Sequence, residues 1–350
     1  MSAHFRELLK TIGSGTHTGK NLTREEAAAA MQMILSGEAK PAQIGAFFIA
    51  HRIKRHTGEE LAGMLDTYNE LGPKLQRKPF MGTVTVLGCP YDGRSRTAPI
   101  TPLTALILAT AGVFVVMHGG ARMPTKEGIP FIEIWQGLGV EWEKLSMVQV
   151  QQVFEQTGLG FIYIPKHFPQ ADALVEYRRD IGKRPPIATM ELILAPFVEE
   201  VHVAAGYVHP PTEVTFREAL KLRGLRNYTT VKGLEGSCDL PRDRTGIIGL
   251  SVPSGNDVEF ERLLLHPTDY DFGGKEVPLG STAELIEEMQ GVLQGKASQL
   301  MSAAIWNGGF YLWRCGICSD INKGLSKAES LLNSGKVGNK LREIKTAVEI

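Results

Sequence analysis

The chain has 350 residues, 43% of them hydrophobic and 22% charged, with 38 Lys+Arg against 38 Asp+Glu. That length and composition predict a globular protein of two domains. Zero net charge gives no bulk signal for nucleic acid or a membrane surface, so any anion site must be a local cluster. Four cysteines are too few for a secreted disulfide framework, no apolar run reaches membrane-span length, and Met1 to Lys20 shows no signal peptide. The expectation is a cytoplasmic protein with no membrane partner.

Residues 1–78 read as a helical unit. Gly13 to Lys20 is glycine-rich, but Asn21 stands where a Walker-A loop needs Ser or Thr, and no strand precedes it. Thr23 is placed to cap a helix with Glu25 and Glu26 in its first turn, running to Leu35. Pro41 opens a second helix, with Ile44, Phe47, Phe48 and His51 at helical spacing. Thr57 caps a third, with Glu59 and Glu60 in its first turn.

From Val84 the pattern changes. Val84–Leu87, 113–117, 159–164 and 201–205 read as buried strands, while 103–111, 131–138 and 148–156 read as helices. This alternation predicts an α/β domain with a mostly parallel central sheet. Ligands collect at the carboxyl ends of such strands. Gly88-Cys89-Pro90-Tyr91-Asp92-Gly93 sits at the first of these ends and just before a helix, where backbone N–H groups and the helix dipole suit a phosphate. Yet Pro90 has no N–H to give and Tyr91 brings bulk. Two readings stand: an altered phosphate site, or a turn that only joins strand to helix. The region from Ser281 to Leu332 returns to helix, with Thr282 as its cap. There, Trp306, Phe310, Tyr311 and Trp313 read as core rather than a base-stacking surface. Cys315-Gly-Ile-Cys318 lacks two further ligands at recognisable spacing, so helix packing is preferred over zinc or redox chemistry.

Several runs together resemble the anthranilate phosphoribosyltransferases. They are Leu22–Ala27, Gly37–Phe47, Gly58–Met64, Leu87-Gly88, Thr110–Val113, His118-Gly119, Gly137–Val140, Arg178–Gly182 and Val231–Gly236. They cover nearly the whole chain in order. The resemblance implies a small helical N-terminal domain, residues 1–78 joined by helices from about 166–195. A larger α/β domain of the phosphoribosyltransferase type would span 79–350. It also implies substrate between the two and a homodimer.

The family's G-T-G-G-D-G loop survives here only as Gly88, Asp92 and Gly93. Its N-I-S-T segment aligns with Pro99–Pro102, leaving the Thr101 hydroxyl. Its K-H-G-N-R segment leaves His118 and Gly119, and Lys126 falls at a second family lysine. Its D-G-L-D-E carboxylates align with Glu235–Asp239, with Cys238 replacing one acid. The arginine that contacts anthranilate aligns with Arg178. These departures resemble a divergent, anthranilate phosphoribosyltransferase-like branch that reads G-x-E-G, as Gly233–Gly236 does. Some members of that branch bind nucleic acid without transferase activity.

The resemblance thus implies a divergent phosphoribosyl- or pentosyltransferase with an anion-binding cleft and an unknown acceptor. His118 and Thr101 would position or act on the sugar. Gly88, Asp92, Gly93, Arg94, Arg96, Gly119, Arg122, Lys126, Arg178 and Lys232 would hold phosphate or substrate, guanidinium forks replacing lost loop amides. Arg242 and Arg244 would flank the same cleft. Glu235 and Asp239 would hold Mg2+. The alternative is a non-catalytic protein whose cleft takes a nucleic-acid backbone. Anthranilate transfer itself ranks last, given the lost glycines, asparagine and acid.

Overall fold

A computed structural model describes residues 2–15, 18–255 and 257–349; Thr16 and His17 of the early glycine-rich loop lie outside the described residues. The N-terminal helices form where their caps predict. They are α1 (Ser2–Gly13), α2 (Arg24–Leu35), α3 (Pro41–Lys54) and α4 (Gly58–Leu71). Thr23 and Thr57 each close a capping box, with Glu26 and Glu60 three residues on. Glu60 does more than cap. It is buried, accepts from the Leu22 amide at 2.8 Å and takes the Lys54 ammonium at 2.6 Å, tying three segments together. Helices α2 and α4 pack closely because residue 63 is glycine: a Cβ there would stand 2.0 Å from the Arg24 carbonyl oxygen.

The α/β part follows as β1 (Val84–Leu87), α5 (Thr101–Thr110), β2 (Phe114–Gly119), α6 (Phe131–Gly137), α7 (Met147–Thr157) and β3 (Leu159–Tyr163). Short helices α8 (Ile164–His167), α9 (Pro169–Asp172), α10 (Val175–Ile181) and α11 (Ile187–Met190) then return towards the N-terminal bundle, α10 against α3 and α11 against α4. Next come β4 (His202–Gly206), α12 (Pro210–Leu222), β5 (Tyr228–Val231), β6 (Gly246–Ser254) and β7 (Asp257–Leu265). The chain closes with α13 (Thr282–Leu293), α14 (Gln299–Arg314), α15 (Ile321–Asn333) and α16 (Lys336–Val348). Ser281, not Thr282, caps α13: its hydroxyl accepts from the Glu284 amide.

The seven strands run in the order β3-β2-β1-β4-β5-β6-β7. The first five are parallel; β6 and β7 add an antiparallel hairpin. A small helical domain thus joins a larger α/β domain with a mostly parallel sheet. Helix α5 is apolar all round and buried from Thr101 to Ala109, as a helix enclosed between a sheet and α14 to α16 must be. Trp306, Phe310 and Tyr311 are core residues of α14. The Cys315 thiol is buried against the Thr85 hydroxyl at 3.2 Å.

Candidate functional site

Strand order reverses between β1 and β4. The chain goes one way from β1 to β2 and β3, and the other way from β4 to β5. Loops leaving the carboxyl ends of β1 and β4 therefore diverge and leave a crevice. A cleft of about 660 Å3 lies there. Pro90, Tyr91 and Asp92 line it after β1, Tyr207 to His209 after β4, and Glu235 and Gly236 after β5. The α10–α11 connection, Gly182 to Pro186, and the end of α3, with His51, Arg52, Arg55 and His56, complete the wall.

The glycine-poor loop is packed rather than open. The Tyr91 hydroxyl meets His118 Nδ1 at 2.5 Å, and His118 Nε2 lies 3.0 Å from the Leu194 carbonyl oxygen. A carbonyl only accepts, so Nε2 carries the proton and Nδ1 accepts from the tyrosine. Burial lowers the His118 pKa to about 4, against a smaller upward pull from the Leu194 carbonyl. His118 is a neutral, fully buried brace with both nitrogens spent, not the free acid–base group the motif suggests. Gly93 is required by geometry. Its φ is +75°, and a Cβ there would fall 2.5 Å from the Gly128 carbonyl carbon, against the bridge between Arg94 and Ile129.

Arg94 does not reach the cleft. It is 1% exposed and points back into a pair of carboxylates. Its Nη1 donates to Asp239 at 2.7 Å and to the Ser237 hydroxyl at 2.8 Å, and its Nε lies 3.4 Å from Glu235. Asp239 also accepts from the Ile100 amide at 3.0 Å and the Thr101 hydroxyl at 2.7 Å. Thr101 is therefore spent as well. Glu235 accepts from the backbone amides of Ser95, Arg96 and Thr97 at 3.2, 3.0 and 3.0 Å, and Lys126 Nζ stands 3.4 Å away. Burial pushes the Glu235 carboxyl up, but Arg94, Lys126 and the loop amides outweigh it and hold the pKa at about 2.

This arrangement does not fit magnesium. Mg2+ needs near-octahedral oxygen ligands and keeps several waters. Here an arginine lies between the two acids, Asp239 is 1% exposed, and every carboxylate oxygen already carries donors. Burial, with Asp239 beside it, raises the Cys238 thiol to about 12, so no thiolate is at hand either. Among the described residues no group of three His, Cys, Asp or Glu side chains could hold a metal.

The other nominated residues divide. Asp92, Arg178 and Glu235 line the cleft; Gly88, Gly93, Gly119, Arg96, Lys126 and Lys232 do not. Asp92 is paired with Arg184, Nη2 to Oδ2 2.6 Å. Arg178 is buried and ion-paired with Glu191, and burial lowers its pKa to about 10. Arg122 turns to Glu133, 2.8 and 2.5 Å, away from the cleft. The Arg96 side chain is 78% exposed and 3.9 Å from Glu235. Arg242 is tied to the Phe272 and Gln299 carbonyls, and Arg244 to Asp243, both outside the cleft.

Three cations outside the nominated site residues face the cleft instead: Arg52, Arg55 and Lys183, the last from the basic run Arg178-Arg179 to Lys183-Arg184. Arg52 and Arg55 end α3, and Lys183 follows α10; all three are exposed, and among the described residues none has a carboxylate partner. Arg52 donates to the Arg184 carbonyl, at 3.1 Å. Arg55 sits at φ 61°, ψ 141°, a costly backbone conformation for a residue with a Cβ. The run His51-Arg52-Ile53-Lys54-Arg55-His56 was the available signal. Glu191, alone in the apolar run Met190 to Ala195, was the signal for a buried cation partner.

Residues 6–72 match the helical bundle domain of a glycosyl transferase family, and residues 92–337 match the a/b domain of that family. An anthranilate phosphoribosyltransferase of Anaeromyxobacter sp. (strain K) is 28% identical over 341 residues, 95% of this chain and 96% of that protein. An uncharacterized protein of Aquifex aeolicus is also 28% identical, over 316 residues, covering 89% and 93%. The fold is shared with anthranilate phosphoribosyltransferase from Thermus thermophilus, TM-score 0.79 at 21% identity, covering 99% of both chains. The Saccharomyces cerevisiae enzyme in complex with PRPP and Mg gives a TM-score of 0.82 at 16% identity, covering 100% and 99%. With both domains matched in order over most of its length, the chain belongs to the glycosyl transferase family that includes the anthranilate phosphoribosyltransferases.

Proposed function

We propose that this family member binds a phosphorylated small molecule in its cleft through Arg52, Arg55 and Lys183, without magnesium at Glu235 and Asp239. One observation carries the reading. Each acid lining the cleft has its own cation, Asp92 with Arg184, Glu191 with Arg178 and Glu235 with Arg94 and Lys126, while Arg52, Arg55 and Lys183 have no carboxylate among the described residues. The cleft therefore carries uncompensated positive charge in a chain whose net charge is zero. Guanidinium and ammonium groups suit phosphate oxygens. A yeast relative is solved with PRPP, which makes a phosphorylated pentose the first ligand to test.

Anthranilate transfer is not part of this reading. Arg178, which the resemblance assigns to the acceptor carboxylate, already holds Glu191. Nothing in the cleft favours a nucleic-acid backbone over a small phosphate ester.

Calorimetry with phosphoribosyl diphosphate at two salt concentrations tests the proposal. Binding should weaken with salt, and Arg55→Ala and Lys183→Ala should each weaken it roughly tenfold, as for loss of a charged hydrogen bond. Unchanged affinity in both variants would overturn the reading. Tighter binding of single-stranded DNA than of any sugar phosphate would transfer it to the polymer.

A further inference from the structure

Beyond the outer cations, the inner loop holds an anion of its own. The backbone amides of Ser95, Arg96 and Thr97, three in succession, converge on the Glu235 carboxylate. The Ser95 and Thr97 hydroxyls join them at 3.3 and 3.1 Å, with Arg94 Nε and Lys126 Nζ each at 3.4 Å. Seven donor groups thus surround one carboxylate, which offers about four lone-pair sites. The surplus suits an anion with more oxygens. A phosphoryl group has three strong acceptor oxygens and greater charge, and consecutive backbone N–H groups form a concavity that binds such anions.

The backbone beneath Glu235 points the same way. Glu235 sits at φ 53°, ψ 23°, a left-handed conformation that a residue with a Cβ adopts at a cost of about 1 kcal/mol. Strain of this kind persists where surrounding contacts over-determine it. Here it aims the side chain into the amides, leaving 3% of it exposed. Glu235 and Gly236 both line the cleft, so the nest lies directly behind that part of its wall.

We propose that the Ser95–Thr97 loop, with Arg94 and Lys126, is a phosphoryl-anion site that Glu235 occupies as an internal ligand, so that removing its carboxylate opens the site to inorganic pyrophosphate. Without Glu235, Arg94 keeps Asp239, while Lys126 and the three amides lose their anion. The loop is closed by a competing side chain, whatever the outer cations bind.

The test uses the full chain carrying Arg55→Ala and Lys183→Ala, so that binding at the outer cations does not contribute. Into it go Glu235→Gly, which suits the left-handed backbone, and separately Glu235→Gln, which keeps the shape without the charge. Inorganic pyrophosphate is titrated by calorimetry, and melting is followed with and without it. Glu235→Gly should bind at least tenfold more tightly than its parent, and pyrophosphate should raise its melting temperature and not the parent's. Glu235→Gln should shift in the same direction by less. A folded Glu235→Gly protein with affinity within twofold of its parent would overturn the proposal. If that variant folds only with pyrophosphate present, the site is confirmed by its folding. If it folds under neither condition, Glu235→Gln decides: parent-like affinity overturns the proposal, tighter binding sustains it. Failure of both variants to fold with pyrophosphate counts against it, because Glu235 would then be a structural counter-charge only. Loss of binding in the outer-cation variants alone leaves these outcomes unchanged, so the two readings fail separately.

Discussion

Replacing Arg94 with methionine should show that the two acids are locked rather than waiting for a metal. The guanidinium bridges Asp239 at 2.7 Å and Glu235 at 3.4 Å, with all three side chains no more than 3% exposed. Methionine keeps most of the volume and removes the charge. Breaking a buried ion pair from one side costs about 3–5 kcal/mol, because the remaining charge is left unpaired. Unfolding entropy scales as about 2.1 cal/mol/K per residue, so 350 residues give roughly 0.7 kcal/mol/K and about 1.4 °C per kcal/mol. The melting temperature should fall by about 4–7 °C in differential scanning calorimetry. Asp239→Asn in the same chain should recover part of the loss, with the double variant less destabilised than the two single losses together by about 1–3 kcal/mol. A shift within about 1 °C, or strict additivity, would refute the lock. So would a rise in the melting temperature of the unmodified protein on adding millimolar magnesium.

Four further outcomes follow from the structure. Burial holds His118 and His56 at about 4, below the ordinary 6.5, so the unfolded chain takes up protons first as pH falls from 6.5 to 4. Stability should decline across that window, by about 3 kcal/mol for the fully buried His118, and His118→Gln should flatten the slope of urea midpoint against pH. Glu235 is held at about 2 rather than 4.5, so its contribution is present above about pH 4.5 and disappears as pH falls towards 2; acid unfolding should be shallower there in Glu235→Gln. Glu191→Gln strands Arg178 in the interior and should cost about 3–5 kcal/mol by denaturant titration, whereas a loss under 1 kcal/mol would mean the pair is not needed. Gly93→Ala combines a φ of +75° with the Gly128 backbone 2.5 Å from the new Cβ, and should destabilise by more than about 1 kcal/mol.

Much of the fold was legible because local rules agree with it. Thr23 and Thr57 carry their capping acids three residues on, and the apolar runs at β1, β2, β3 and β4 are short, as buried parallel strands are. The β6–β7 hairpin was missed. On β7 intermediate and exposed residues mostly alternate, from Asp257 to Leu264, so it lacks the continuous apolar run that marks the inner strands. The site was harder to read, because motif alignment gives position and not direction. Arg94 aligns beside a phosphate loop, yet its side chain turns inward to Asp239. Which way a long side chain turns depends on charges far off in sequence, here 145 residues away. The same holds for Arg178 on α10, whose partner Glu191 lies 13 residues on, just after α11. Arg52 and Arg55 could have been nominated from the density of basic residues at the end of α3, but only the packing of α10 against α3 brings them to Lys183.

The most direct measurement is a titration of phosphoribosyl diphosphate into the unmodified protein and into the Arg55→Ala, Lys183→Ala double variant, each with and without magnesium. Binding that is indifferent to magnesium and lost in the double variant is the expected result. Binding that demands magnesium and persists without those two cations would contradict the account at its centre.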